Sequence, residues 1–185
     1  MSKSMYVQKE IARELIDQLA EEFPSARVVH RDTEGLPARV VLFIFMYRLL
    51  QFFNSNLSRF SFVVGQYIVL PSASFKFTED QMTDSVYKIV RHEMVHLRQD
   101  RDNVLWKSRY LLWPLPALIT ERGYRWEMEA YKETMNAEHR LYGYVDDTVI
   151  DFIASQFSSP NYVFMDVRGK KVRKELEDHR ASLEK

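Results

Sequence analysis

The chain has 185 residues, 46% of them hydrophobic and 14% aromatic, which is enough for one closed core and too little to require two. Lys plus Arg and Asp plus Glu each number 26, so there is no net field to draw in nucleic acid or an acidic lipid surface, and any recognition must be local. The absence of cysteine excludes a disulfide framework and a thiolate metal site, leaving His, Asp and Glu as the strong ligands.

In chain order, the N-terminal segment carries Ile11, Leu15, Ile16 and Leu19 on one side of an amphipathic helix. It has no uninterrupted apolar stretch of the kind found in export signals, so a cytoplasmic location is expected. Pro24 and Ser25 break the helix, Arg27–His30 suits a short strand, and Asp32–Pro37 has loop chemistry. Leu36–Asn54 is long and strongly apolar; its length favours a helix, although VVLFIF alone would also suit a buried strand. The apolar runs Val40–Phe53, which contains Arg48, and Tyr110–Ile119 are both shorter than the roughly 20 residues a spanning helix needs. No transmembrane segment is expected. Both runs are expected in the core, with contact at a membrane surface left open.

Phe60–Val64 and Tyr67–Leu70 are β-rich runs separated by Gly65 and Gln66, the spacing of a tight hairpin, and Pro71–Phe77 leaves the sheet as loop. Thr78-Glu79-Asp80-Gln81 matches a capping box, predicting a helix from about Glu79 to Gln99 that ends over Asp100–Asn103. The prolines of Trp113–Pro116 exclude a continuous helix there. Thr120 caps a helix that Gly143 ends, and Asp147–Phe157 has the pattern of another. Gly169–Lys185 has the charge density of a solvated tail. The pattern is α+β, mainly helical with a hairpin before one long helix, as one domain over residues 1–165 and a charged tail over 166–185.

The chemistry lies in that long helix. His92-Glu93-Met94-Val95-His96 is HExxH. At 3.6 residues per turn, positions i and i+4 stand about 40° apart, so both imidazoles leave one face and can share one ion, with Glu93 beside them. A zinc ion (Zn2+) held this way keeps a position open for water and lowers its pKa toward about 7, while the adjacent carboxylate takes the proton as the water attacks a carbonyl carbon. With only 5 His in the chain, a chance HExxH has odds on the order of one in a hundred. His92 and His96 are therefore the expected metal ligands and Glu93 the expected general base.

A catalytic zinc needs a third protein ligand. LRQDRDNVLW after His96 lacks the glycine and third His of the metzincin pattern, and the inverted HxxEH is absent. On the helix from Glu121 to Tyr142, the apolar stripe is Tyr124, Met128, Tyr131, Met135 and Tyr142. Glu127 lies roughly 70° from its centre and Glu129 roughly 130°, so Glu127 is expected at the edge of the core and Glu129 in water. Glu138 is also near the stripe, further along the helix.

HExxH followed on a later helix by Glu127-Met128-Glu129-Ala130-Tyr131 resembles the gluzincin arrangement and is similar to the ExxAD signature of CAAX prenyl protease, HtpX-like and minimal gluzincin families. The resemblance covers two helices. It implies a zincin-like fold, Glu127 as third zinc ligand and hydrolysis of peptide or protein substrates, with the hairpin as an edge for extended substrate. Tyr131 stands where those families have Asp, so its hydroxyl would either orient a ligand or simply pack. Tyr131, His139 and Arg125 are the candidates for stabilising an oxyanion, and His30 and His179 are expected in loop or tail, exposed to solvent. A second reading keeps the fold but makes it a catalytically silent binding module, with structural zinc and an apolar surface over Leu111–Ile119.

Overall fold

The structure, a computed structural model, describes residues 5–38, 40–42, 45, 61–72, 75–102, 120–157 and 169–185. Contacts divide the chain into two compact units, Met1–Leu97 and Arg98–Lys185. The architecture is mixed α+β and mostly helical. Among the described residues, no helix is long and apolar enough to cross a membrane.

In the first unit, α1 (Lys9–Glu22) buries Ala12, Leu15 and Leu19, whose spacings of three and four residues place them on one face. Three strands follow: β1 (Arg27–His30), β2 (Phe62–Val64) and β3 (Tyr67–Leu70). β3 is central, parallel to β1 and antiparallel to β2. Gly65 turns the β2–β3 hairpin at φ 60°, a left-handed conformation that a Cβ would penalise. Because side chains alternate across a strand, one face gathers Phe62, Val64, Tyr67 and Val69 around Val40, while Ile68 and Leu70 are buried on the other. Of the predicted Leu36–Asn54 helix, positions 38, 40–42 and 45 are helical, Leu36 and Pro37 are not, and the remaining positions lie outside the described residues.

α2 (Asp84–Asp102) begins five residues later than the capping box implies. Residues 78–81 form a turn, in which the Thr78 carbonyl accepts from the Met82 amide at 3.0 Å. The N-terminal segment then holds residues 82–84 extended. The Val7 amide donates to the Met82 carbonyl at 2.9 Å and the Asp84 amide to the Met5 carbonyl at 3.0 Å, around a bridge between Tyr6 and Thr83. Thr83 is the cap instead: its carbonyl takes the first helical bond, from Tyr87, and its hydroxyl accepts from the Val86 amide at 3.4 Å. Glu79 and Asp80 serve α1, pairing with Arg13 and Lys9.

The second unit is built on α3 (Thr120–Tyr142), α4 (Asp147–Phe157) and α5 (Gly169–Leu183). α3 stops where Gly143, at φ 79°, turns its amide back to the His139 carbonyl at 2.7 Å. α4 starts on Asp146, whose carboxylate accepts from the Thr148 amide at 2.7 Å. The Thr148 side chain and then its amide hold the Asp146 carboxyl below its ordinary range.

The predicted solvated tail requires correction. Residues 169–183 form α5, which places Val172 and Leu176, both fully buried, against Tyr124, Met128, Tyr131 and Met135 of α3 and Ile150, Ile153 and Phe157 of α4. Burying such a side chain contributes about 1.5–3 kcal/mol, enough to dock a helix whose remaining surface is charged. At the edge of this core, Glu175 accepts from Tyr124 Oη at 2.8 Å and from Lys132 Nζ at 2.7 Å.

Candidate metal centre

His92 and His96 stand one turn apart on α2, with ring centroids 5.0 Å apart and planes inclined at 75°. His96 is buried and His92 half-buried. The helix faces inward here because Val86, Tyr87, Val90, Met94 and Leu97 are all buried.

Each of His92, His96 and Glu127 presents one ligand atom, and these atoms lie within 4.8 Å of one another. Two imidazoles and a carboxylate are donor types common to divalent metal sites. Such a group could hold a metal ion.

Glu93 adds a second sign of fit. It is 3% exposed, and one oxygen, Oε1, accepts from Ser61 Oγ at 2.5 Å. The other, Oε2, is buried without a hydrogen-bond partner among the described residues. A buried carboxylate oxygen in that state costs on the order of 1–3 kcal/mol, a cost expected where a polar ligand is to bind.

The competing carboxylate of α3, Glu129, is exposed, yet it accepts from Gln99 Nε2 at 2.8 Å, and the same amide nitrogen donates to the Trp126 carbonyl at 3.1 Å. Gln99, buried in the last turn of α2, thus ties that turn to α3 on both sides of Glu127. Helical spacing separates the two glutamates but does not reveal Gln99 as a tie. The Ser61–Glu93 bond is equally silent in the sequence, since it joins the residue before β2 to a helix 32 residues away.

Several expectations change. Tyr131 packs, its ring meeting Phe157 at 5.4 Å in an edge arrangement within the α3–α4–α5 core. Its size and apolar ring suit that position where a carboxylate would be buried at high cost. Arg125 is exposed and His139 half-buried. His30 closes β1 and is half-buried, with Nδ1 enclosed and unpartnered among the described residues. His179 lies on α5 rather than in a tail, with Nε2 2.8 Å from Asn136 Oδ1; burial, then the Lys132 charge, lower its pKa. Glu138 is buried on α3. The Leu111–Ile119 surface of the binding-module reading lies outside the described residues. Comparison of the chain with protein-family models, with curated proteins and with solved structures gives no match.

Proposed function

We propose that this chain is a zinc-dependent metallopeptidase of the gluzincin type, probed best as an endopeptidase, with His92, His96 and Glu127 as metal ligands and Glu93 as general base. The supporting observation is what surrounds Glu93: a buried carboxylate with one oxygen engaged and one unpartnered among the described residues, adjacent in sequence to a histidine that shares a donor group with His96 and Glu127. Structural zinc sites are closed by four protein donors, whereas three donors beside a carboxylate match an open, catalytic composition.

When bound, zinc would supply Lewis acidity and make water acidic enough to lose a proton near neutral pH. Glu93 then acts at Oε2, the oxygen not engaged by Ser61. It takes the proton from the attacking water and delivers it to the amine that leaves the scissile peptide bond. The apolar residues around it on α2 keep bulk water from competing for that proton.

The test joins metal analysis to a casein or peptide-library cleavage assay. Wild type and Glu93→Gln are expected to carry stoichiometric zinc, with cleavage lost by about 10²–10⁴-fold in Glu93→Gln. Glu127→Gln is expected to lose metal and Glu129→Gln to keep it. Zinc without cleavage of any substrate would favour a silent binding module, and metal lost from Glu129→Gln alone would move the third ligand to that residue.

A further inference from the structure

Resting on that reading of the site, we propose that Ser61 is the positioning residue of Glu93, fixing which carboxylate oxygen is the proton acceptor. The first ground is placement. Ser61 directly precedes β2, whose Phe62, Val63 and Val64 pair with Val69, Ile68 and Tyr67 of β3. Phe62 and Val64 turn toward the Val40–Val69 cluster, so strand alternation sends Ser61 to the opposite face, where its hydroxyl meets Glu93. A donor beside a hydrogen-bonded strand is held more firmly than one on a loop.

The second ground is the asymmetry of the carboxylate. Both oxygens are removed from water, but only Oε1 has a partner among the described residues. A carboxylate rotates readily about its last bond, and an unheld Glu93 would offer either oxygen in many orientations. The 2.5 Å bond from Ser61 Oγ occupies Oε1 and stops that rotation, leaving Oε2 in one orientation as the free acceptor. Ser61 touches neither substrate nor metal in this account and acts wholly through Glu93. Partners that orient a reacting or ligating group are typically worth about 10- to 100-fold when removed.

The experiment compares wild type, Ser61→Ala, Ser61→Cys and Ser61→Thr in zinc content, in kcat and KM for peptide cleavage, and in the ¹³C resonance of the Glu93 carboxyl, assigned with Glu93→Gln. The proposal expects Ser61→Ala to keep stoichiometric zinc and a KM within about twofold while kcat falls about 10- to 100-fold, with Ser61→Thr restoring most of it. The Glu93 resonance should move in Ser61→Ala and return in Ser61→Thr. Unchanged kcat in Ser61→Ala alongside an active wild type overturns the role of Ser61 and leaves the peptidase reading standing. If wild type binds zinc but cleaves nothing, the peptidase reading fails, and the resonance alone decides whether Ser61 holds Glu93: an unmoved resonance in Ser61→Ala rejects it. Should Ser61→Ala not fold, the near-isosteric Ser61→Cys, a weaker donor, carries the same comparisons.

Discussion

The two units secure their functional helices by different means. In the first, Glu93 on α2 is reached by a hydroxyl whose position follows from a backbone ladder between β2 and β3. In the second, α3 is held by apolar area, with Tyr124, Met128, Tyr131 and Met135 packed on α4 and on the buried Val172 and Leu176 of α5. A ladder sets register in steps of one residue, because a slip sends every side chain to the wrong face. An apolar helix interface yields more gradually, since its energy is spread over many contacts. Orientation of the proposed base should therefore be sensitive to single polar changes, and stability of the Glu127 helix to loss of buried volume.

The largest expected effect breaks the second unit. Leu176→Ala removes a fully buried side chain between three helices and should cost about 2–5 kcal/mol, read as a lower urea midpoint. A cost below about 0.5 kcal/mol, as for an exposed residue, would restore the picture of a solvated tail. Next in size is Gly65→Ala, which forces a Cβ into a left-handed turn and should cost about 1–2 kcal/mol, with cleavage falling alongside stability if the hairpin holds Ser61 in place.

A smaller effect comes from the polar edge of α5. Burial opposes ionisation of Glu175, but hydrogen bonds from Lys132 and Tyr124 and the nearby lysine charges outweigh it and hold the carboxyl below its ordinary range. Its contribution is present above the unfolded value near 4.5 and is lost as pH falls through the folded value, so Glu175→Gln should flatten the acid limb of the stability curve. Disfavoured protonation of His179 has the same sign: folded protein binds that proton less readily than unfolded, so stability declines as pH falls below about 6.5. His179→Gln should remove that decline, measured by denaturant titration at pH 7 and pH 5.5. Smallest of all is Asp80→Ala, which deletes an exposed pair with Lys9 and should leave the unfolding midpoint unchanged at physiological salt.

Much of this was legible in the residues. β1, β3 and α4 were read from composition and turn chemistry with their observed bounds, because short strands and a capped amphipathic helix are local events. The start of α2 was not, since the capping box at Thr78 competes with pairing to Met5–Val7, a partner far away in sequence. The burial of α5 had a signal in the apolar spacing of Val172, Leu176 and Leu183, overshadowed by the charges between them. Three and four residues make one helical face however polar the intervening positions are.

HExxH by itself determined that His92, His96 and Glu93 lie together, because helical geometry carries i and i+4 to one face wherever the helix sits. Sequence spacing on α3 likewise separated Glu127 from Glu129. Only the tertiary structure decided that Glu127 joins the histidine pair within 4.8 Å, that Ser61 engages one oxygen of Glu93, and that Tyr131 is core. Those contacts join residues distant along the chain, and a helical period specifies direction around one axis but not what another element brings to meet it.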